Sequence, residues 1–207
     1  MLLDLKHLLS THQISVNAVI QPGAHYGQES SLYDSLGIPD ENRYYYEPQP
    51  HVFEVLKGNI GNRGHLFNCA LGNFNGKSTI FIEHNNSSQS SSLLRSKIHS
   101  IQYPHIVFSD SAEVDVFRLD DIFPPIAPKF NWLMNIDCQG FELEVLKGSA
   151  KILPYVKAIV CEVNVAEVYE GCPMMSEVDN YLSTFGFKRV FTNLEGITWG
   201  DALYVNI

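Results

Sequence analysis

The sequence predicts an α/β protein of the doubly wound type, in which helices cover both faces of a mostly parallel sheet. Two observations predict it. Short apolar runs typical of buried strands alternate with segments of helical periodicity, and a Pro-Gly turn directly follows the first of those runs. The chain has 207 residues, which is within the range of one domain, so we expect residues 1–207 to form a single domain.

The first half of the chain contains two units of strand and helix. Residues 17–21 form an apolar run that ends at the Pro-Gly turn, and residues 28–36 are compatible with a helix. Residues 43–47 form an aromatic, strand-like run, after which apolar residues recur at helical spacing from Val52. The repetition of strand, turn and helix favours parallel strands joined by crossover helices.

The middle of the chain is less regular. We predict a third strand over residues 65–71 and a further strand over residues 78–82. The segment 83–104 is rich in Ser and Asn, and its composition alone favours a disordered loop. A linker between domains is not expected there, because apolar alternation resumes over residues 114–119.

The last third of the chain returns to alternating strands and helices. Residues 132–136 are predicted to form a buried strand, residues 141–153 a helix with an apolar stripe, and residues 157–163 another strand. A further helix and two closing strands are predicted over residues 174–185, 187–192 and 202–207.

Composition limits the classes of function. The chain carries 14 basic and 23 acidic residues, a formal net charge of −9, which disfavours a nucleic-acid substrate because the phosphate backbone is itself negative. Residues 1–15 are interpreted as an amphipathic N-terminal helix rather than a signal peptide, and no apolar run is long enough for a membrane span. The four cysteines form no CxxC pair, as expected for a reduced protein, so the predicted compartment is the cytoplasm.

The residues after the first two strands indicate a cofactor site, because ligands of open parallel sheets bind at the carboxyl ends of the strands. Gly23 and Gly27 permit a close backbone approach, and Glu47 ends the second strand, where a carboxylate can accept hydrogen bonds from two ribose hydroxyls. An ordinary strand-to-helix turn is the alternative for the glycine loop. A dinucleotide is disfavoured by the glycine spacing and by the absence of Lys and Arg between Gln21 and Tyr33. An adenosine cofactor that lacks phosphate and carries a sulfonium cation fits better.

Three titratable residues are candidates for catalysis. Asp137 follows the fourth strand of the parallel sheet, where its carboxylate can steer a cation or accept a proton, although it can also cap the next helix. Glu162, near the end of the following strand, either faces the substrate or pairs within the structure. His25 is either catalytic or a loop-stabilising group. We predict no metal site, because Asp120 and Asp121 are better explained as the cap of a turn than as metal ligands with Asp137.

An ordered set of short motifs covers nearly the whole chain. The motifs are residues 23–29 (GAHYGQE), 47–50 (EPQP), 70–72 (ALG), 89–94 (QSSSLL), 137–148 (DCQGFELEVLKG), 162–164 (EVN) and 199–204 (WGDALY). Each is weak alone, but the ordered set resembles the FkbM family of S-adenosylmethionine-dependent methyltransferases, in particular the branch whose first motif is Gly-Ala-His-x-Gly-Gln-Glu.

The resemblance implies the class I methyltransferase fold, which is Rossmann-like, with a mostly parallel seven-stranded sheet and helices on both faces. It implies S-adenosylmethionine as the cofactor and methyl transfer to a hydroxyl, most often on a sugar or glycan or on a secondary metabolite. The Ser/Asn-rich segment 83–104 is then an ordered loop in the active-site wall. The alternative function is a catalytically degenerate cofactor-binding protein of the same fold, and a nucleotide-dependent oxidoreductase is disfavoured by the loop spacing.

The resemblance also implies a position for the cofactor. The adenosine is expected to lie across residues 23–27, with its ribose on Glu47 and its base near Ala70 and Leu71. The predicted cofactor-binding residues are Gln21, Gly23, Ala24, His25, Gly27, Glu47, Pro48, Asn68, Ala70, Leu71, Ser91 and Asp137.

The catalytic roles follow from position. Asp137 is predicted to be the general base or the residue that orients the acceptor, assisted by Glu162 or His25. The acceptor is predicted to be a small molecule or a glycan. Gln21 departs from the family, in which many members carry an acid at this position that helps to hold the amino end of the cofactor.

Overall fold

The computed structural model of the chain describes residues 3–125 and 127–206. Its strands are β1 (Ala18–Pro22), β2 (Arg43–Tyr46), β3 (His65–Phe67), β4 (Ala70–Leu71), β5 (Gly76–Glu83), β6 (Phe108–Phe117), β7 (Trp132–Ile136), β8 (Val156–Asn164), β9 (Phe187–Glu195) and β10 (Trp199–Asn206). Its α-helices are α1 (Leu5–Thr11), α2 (Ser30–Ser35), α3 (Pro50–Ile60), α4 (Ile98–Gln102), α5 (Leu119–Ile122), α6 (Glu142–Lys147) and α7 (Met175–Ser183). Residues 1–2 of the predicted N-terminal helix and Ile207 of the predicted last strand lie outside the described residues.

One large sheet has the strand order β3-β2-β1-β7-β8-β10-β9. β1 pairs in parallel with β2 and β7, β2 with β3, and β7 with β8, whereas β10 pairs antiparallel with both β8 and β9. Among the described strands of this sheet only β10 runs against the others, so the predicted mostly parallel seven-stranded sheet is confirmed. The order reverses between β1 and β7, and such a switch point opens a crevice at the carboxyl ends of the two strands.

Alternate residues of the central strands supply two separate cores, one on each face of the sheet. Ile20 of β1 packs with apolar residues of α5, α6 and α7, whereas the neighbouring Val19 packs with residues of α1, α2 and α3. Both side chains are fully buried, and burial of an aliphatic side chain stabilises a protein by about 1.5–3 kcal/mol. The predicted placement of helices on both faces is confirmed.

The prediction of one strand over residues 65–71 is wrong. β3 pairs with β2 in the large sheet, whereas β4 pairs with β6 in a separate three-stranded sheet of order β4-β6-β5. β2 ends at Tyr46, and just beyond it the N–H of Glu47 donates to the carbonyl oxygen of Phe67 at 3.1 Å. Asn68 instead donates from its side-chain amide to the carbonyl oxygens of Glu47 and Pro48, at 2.8 and 3.1 Å. The chain then leaves the large sheet and begins the small one, which the sequence analysis did not predict.

Several boundaries differ from those predicted. α1 has seven residues and is shorter than the predicted helix 1–15, because the chain turns at Gln13, whose φ is 56°. The helix predicted over 141–153 ends at Lys147, and Leu153–Tyr155 form a separate 3-10 helix. The predicted loop 83–104 contains α4. The longest described helix, α3, has 11 residues, and no helix in the described part of the chain meets the requirements of a membrane span.

Candidate active site

A cavity of about 660 Å³ opens at the carboxyl ends of the parallel strands, beside the switch point between β1 and β7. We call it the cleft. Residues at or after the ends of β1, β2, β7 and β8 form its floor, and the Ser-rich segment, α4 and the start of β10 form its walls. Its volume is typical of small-molecule sites in proteins.

The chain makes a tight turn at the end of β1. Gly23 has a φ of 72°, and a Cβ atom there would lie 1.8 Å from the carbonyl oxygen of Asp137. The N–H groups of Gly23 and Ala24 both donate to the carbonyl oxygen of Tyr46, at 2.9 and 3.0 Å. Asp137 N donates to the carbonyl oxygen of Pro22 at 3.3 Å. The turn therefore requires glycine and joins the ends of β1, β2 and β7.

Glu47 follows β2, and its buried side chain lines the cleft. Its two carboxylate oxygens each accept a hydrogen bond from a backbone N–H, of His25 and of Gln49, both at 2.9 Å. Burial raises the pKa of Glu47 to about 7, against the opposing effect of these hydrogen bonds. Each oxygen has a second lone pair, so the carboxylate can accept two further hydrogen bonds from a ligand.

The structure brings most of the predicted cofactor-binding residues together. Those that line the cleft are Gln21, Gly23, His25, Glu47, Pro48, Ala70, Leu71, Ser91 and Asp137. The other three lie behind it. Ala24 is buried in the core, Gly27 faces Ile60 and Leu56 of α3, and Asn68 holds the backbone of residues 47–48. These three residues support the loops and do not face the ligand space.

A buried row of hydrogen bonds fixes the side chain of Gln21. Asn135 Nδ2 donates to Tyr33 Oη at 2.9 Å, Tyr33 Oη donates to Gln21 Oε1 at 2.8 Å, and Gln21 Nε2 donates to Glu29 Oε2 at 2.8 Å. Burial, and after it the charge of Glu29, raise the pKa of Tyr33 well above its ordinary value. The phenol therefore remains a donor. The sequence analysis did not identify Glu29, Tyr33 or Asn135 as site residues.

The ends of β7 and β8 place two acids in the cleft, bridged by one amide. Gln139 Nε2 donates to Asp137 Oδ1 at 2.7 Å and to Glu162 Oε2 at 3.0 Å. Tyr169 Oη donates to Gln139 Oε1 at 2.8 Å and holds the amide in this orientation. The two acids that the sequence analysis selected therefore face one another, and Gln139 and Tyr169 are additional residues of the same network.

The two acids differ in their environments. Burial, and after it the negative charge of Asp137, raise the pKa of Glu162 well above its ordinary value. The side chain of Asp137 is open to the cleft, but loss of hydration within the surrounding protein raises its pKa as well, with a further contribution from the charge of Asp201. Two carboxylates that hydrogen-bond to the same amide group, as these do to Gln139, do not both ionise readily. Burial therefore favours the protonated form of Glu162 more strongly than that of Asp137, whose side chain is open to the cleft.

Glu142 holds the loop between β7 and α6 from beneath. Its side chain is fully buried, and Glu142 Oε1 accepts hydrogen bonds from the N–H groups of Cys138 and Gly140, both at 3.0 Å. Glu142 Oε2 has no hydrogen-bond partner among the described residues. Burial raises the pKa of Glu142 to about 7, although the backbone hydrogen bonds oppose the shift.

The folded protein is therefore expected to lose a stabilising contribution from Glu142 as pH rises through the interval between its ordinary pKa of 4.5 and its folded pKa of about 7. In that window the unfolded chain has already released the proton that the folded chain retains, so rising pH favours unfolding. Urea denaturation at about pH 5 and about pH 8 gives the fall in the free energy of unfolding between the two pH values. We expect that fall to be smaller in Glu142→Gln than in wild type by about 1–3 kcal/mol. Equal losses would show that Glu142 is not held protonated.

Both ring nitrogens of His25 are engaged. Nε2 lies 2.7 Å from the carbonyl oxygen of Ser87, and Nδ1 lies 2.8 Å from Gln28 Nε2. A neutral ring that donates from Nε2 and accepts at Nδ1 satisfies both hydrogen bonds, so neither nitrogen is left to take a proton from a substrate. Of the two roles considered for His25, the geometry favours the loop-stabilising one and not the catalytic one.

The Ser-rich segment is bound to the cleft from several directions. Besides the bond to His25, Ser92 Oγ donates to the carbonyl oxygen of Gln139 at 2.6 Å, and Tyr169 Oη lies 2.9 Å from the carbonyl oxygen of Ser90. Ser92 also forms a backbone bridge to Phe81 of β5. These contacts connect the segment to the loop after β1, which carries His25, and to the loop after β7, which carries Gln139.

Aromatic side chains line the outer part of the cleft. Trp199 Nε1 donates to Tyr103 Oη at 3.3 Å, and the rings of His99 and Tyr169 have centroids 5.5 Å apart. The tyrosines at 44–46 are buried in the cores and do not line the cleft. The sequence showed aromatic residues in both places, but only the fold separates the core residues from the cleft residues.

Asp120 and Asp121 do not line the cleft. Arg118 pairs with both of them, at 3.2 and 3.5 Å, and Asp120 Oδ1 accepts a hydrogen bond from the N–H of Lys151 at 2.9 Å. Their carboxylates thus stabilise the turn around α5. Within residues 3–125 and 127–206, no group of three or more His, Cys, Asp or Glu is arranged to hold a metal ion.

The cleft is acidic. Its lining includes Glu29, Glu47, Asp137, Glu162 and Asp201, and no Lys or Arg of the described residues lines it. A site of this composition attracts cations and repels phosphate groups. The chemistry of the walls thus agrees with the preference for a sulfonium cofactor over a dinucleotide.

A family model described as the methyltransferase FkbM domain matches residues 21–189, most of the chain. The chain belongs to the FkbM methyltransferase family. The match begins at Gln21 and includes β8 and the loop after β7, which carries Asp137. It therefore covers most of the cleft. The family resemblance inferred from the motifs is confirmed.

Relatives and structural neighbours were also found. This FkbM chain is 25% identical over 195 residues to the 2-O-methyltransferase NoeI of Sinorhizobium fredii (strain NBRC 101917 / NGR234), covering 91% of this chain and 79% of NoeI. The magnesium protoporphyrin IX methyltransferase ChlM from Synechocystis PCC 6803, with bound SAM, gives a TM-score of 0.53 at 9% identity, covering 98% of this chain and 76% of that one. Streptococcus pneumoniae Sp1610 in complex with S-adenosyl-L-methionine gives a TM-score of 0.52 at 12% identity, covering 100% of this chain and 73% of that one.

The comparisons agree with the architecture. The predicted class I methyltransferase fold is confirmed by the two structures, which at this identity indicate the fold alone. Family membership identifies the chain as a methyltransferase, and S-adenosylmethionine is the cofactor that the family and the two structures support.

Proposed function

We propose that this FkbM protein is an O-methyltransferase that acts on a hydroxyl group of a sugar, a glycan or a secondary metabolite. The observation that carries the proposal is the acid pair in the cleft, Asp137 and Glu162, bridged by Gln139. Methylation of an alcohol releases a proton, and a carboxylate with a raised pKa is suited to accept it near neutral pH. We further propose that residues 1–207 act as a single methyltransferase domain.

The residues of the cleft fit S-adenosylmethionine. The carboxylate of Glu47 lines the cleft and has acceptor capacity beyond its two backbone hydrogen bonds, which suits the ribose hydroxyls. The buried side chains of Ala70 and Leu71 line the cleft as an apolar surface for the base. The acidic walls favour a sulfonium cation. Gly23, Pro48 and Ser91 complete the proposed cofactor side.

When bound, S-adenosylmethionine supplies a methyl group activated by its sulfonium charge. We propose that the ionised carboxylate of Asp137 orients the acceptor hydroxyl and takes its proton as the hydroxyl oxygen gains the methyl group. Gln139 holds that carboxylate through its 2.7 Å hydrogen bond. Burial favours the protonated form of Glu162, which does not compete for the proton that the acceptor releases. Asp137 then returns its proton to solvent through the open side of the cleft.

The outer cleft supports an uncharged, ring-shaped acceptor. Trp199 and Tyr103 offer flat apolar faces with polar edges, which suit a sugar ring. The relative NoeI is named a 2-O-methyltransferase, which supports oxygen as the atom that is methylated. A net charge of −9 and the acidic walls support a small-molecule or glycan acceptor over a nucleic acid.

The function can be tested with methyl-labelled S-adenosylmethionine and a panel of alkyl pyranosides that differ in which ring hydroxyls are present. We expect label in a base-stable methyl ether, located on the ring by mass spectrometry. Transfer to amines or carboxylates with none to hydroxyls would contradict O-methylation. Saturable cofactor binding without transfer to any acceptor would favour the catalytically degenerate alternative.

The cofactor position predicts that Glu47→Ala weakens S-adenosylmethionine binding about 10²- to 10⁴-fold, because two hydrogen bonds to a charged acceptor are lost. Calorimetry gives the dissociation constant. Glu54→Ala is the matched control, since Glu54 lies exposed on α3 and its carboxylate accepts hydrogen bonds from Lys57. Equal affinity in the Glu47 variant and wild type would show that the ribose does not bind at Glu47. A melting curve of the variant would distinguish lost binding from lost folding.

A further inference from the structure

The hydrogen-bonded row that ends at Glu29 has a defined direction. Asn135 Nδ2 is a donor only, so Tyr33 Oη accepts from it and donates its single proton onward to Gln21 Oε1. The amide of Gln21 must then present its NH2 group to Glu29. The orientation of Gln21 is thus set by its partners, and the amide has the role of holding the Glu29 carboxylate.

This arrangement explains why position 21 is not an acid. Gln21 Nε2 and Glu29 Oε2 are 2.8 Å apart, so a carboxylate at position 21 would face the carboxylate of Glu29 at hydrogen-bond distance. Two negative charges this close repel one another strongly. One acid and one amide are therefore compatible at these two positions, and in this chain the acid is at position 29.

The position of Glu29 relative to the sheet indicates what it meets. Across the sheet, Glu47 follows the end of β2, Gln21 lies in β1 and Asn135 lies in β7. If the ribose lies on Glu47, the rest of the cofactor extends from β2 towards β1 and β7. Glu29 lines the cleft at that second location. The group that extends away from the ribose in S-adenosylmethionine is the sulfonium and the amino-acid end, which carries an ammonium ion.

We propose that the Glu29 carboxylate, positioned by Gln21, binds the ammonium group of S-adenosylmethionine in place of an acid at position 21. The proposal rests on the cofactor position given under the proposed function. It makes Gln21 a positioning residue and Glu29 the residue that contacts the cofactor. An amide at position 21 is then compatible with a functional cofactor site.

The test compares two ligands, S-adenosylmethionine and 5′-methylthioadenosine, which has the adenosine but lacks the amino-acid end. In Glu29→Gln we expect the affinity for S-adenosylmethionine to fall about 10- to 100-fold, the loss typical of a charged hydrogen bond, and the affinity for 5′-methylthioadenosine to stay within about twofold. Glu113→Gln is the control for net charge, because Glu113 lies exposed on β6 and pairs with Lys77.

A charge exchange provides the second measurement. Gln21→Glu alone is expected to weaken S-adenosylmethionine binding and to lower the melting temperature, because two carboxylates then face each other. The double variant Q21E/E29Q restores one acid and one amide, and we expect it to recover most of the affinity.

The outcomes distinguish a failure of the Glu29 assignment from a failure of the proposed function. If wild type binds both ligands and Glu29→Gln weakens them equally or not at all, the assignment of Glu29 is overturned while the cofactor position stands. If the double variant is no better than the worse single variant, the exchange of roles is overturned. If wild type binds neither ligand, the proposed function fails and this assignment fails with it.

Discussion

Replacing Asp137 with asparagine is expected to lower the turnover number of methyl transfer by about 10²–10⁴-fold, the range that a general base contributes. Asparagine keeps the size of the side chain and can still accept the 2.7 Å hydrogen bond from Gln139, but it cannot take a proton from the acceptor. The affinity for S-adenosylmethionine, measured by calorimetry, should stay within about tenfold of wild type. The loss would thus appear in kcat and not in cofactor binding.

Glu162→Gln is the matched control for this prediction. Burial raises the pKa of Glu162 far above its ordinary value, and glutamine imitates the protonated form that this shift favours. We expect kcat to fall by less than about tenfold. Unchanged turnover in Asp137→Asn together with a severe loss in Glu162→Gln would assign the base to Glu162.

The dependence of kcat on pH gives an independent readout of the same assignment. A base acts only when it is ionised, so wild-type kcat should rise with pH through the raised pKa of Asp137. In Asp137→Asn that rise should be absent. A rise that persists in the variant would show that another group accepts the proton.

Gly23→Ala is expected to destabilise the folded protein by about 3–5 kcal/mol. The positive φ of 72° is unfavourable for alanine, and the added Cβ atom would lie 1.8 Å from the carbonyl oxygen of Asp137, which forces the ends of β1 and β7 apart. Urea denaturation measures the loss in the free energy of unfolding. Cofactor binding should also be lost, because the same turn forms the floor of the cleft.

Gly37→Ala separates the two causes. Gly37 has a φ of 71°, but a Cβ atom there would meet nothing within 4 Å. Only the conformational cost remains, about 1 kcal/mol. The difference between the two variants therefore measures the close approach of the strand ends, and equal losses in both would contradict the packing argument.

The large sheet could be predicted because its strands are short apolar runs that alternate with helices, which is a local signal. The small sheet could not. β4 has two residues and pairs with β6, more than forty positions along the chain, so no local pattern distinguishes it from a continuation of β3. The side chain of Asn68 causes the separation by binding the backbone after β2, and that contact exists only once β2 and β3 have paired.

The floor of the candidate site could be predicted for a similar reason. Residues after parallel strands meet at one edge of the sheet, which is enough to select Gly23, Glu47 and Asp137. The row of hydrogen bonds from Asn135 to Glu29 could not be found this way. It includes the bond between Asn135 and Tyr33, which are 102 positions apart, and it depends on how α2 is oriented on the sheet. The preference for a loop-stabilising role of His25 also needed the structure, since the contacts at both ring nitrogens favour that role over that of a base.

The acidic lining of the cleft also affects what happens after the methyl group has moved. The donor enters with a sulfonium charge, and the S-adenosylhomocysteine that remains has none at sulfur. Carboxylates that attract the donor therefore hold the spent molecule less strongly, because the Coulomb attraction at that atom has vanished. The lining therefore distinguishes donor from product only at the sulfur atom, because both molecules carry the same adenosine and the same ammonium group.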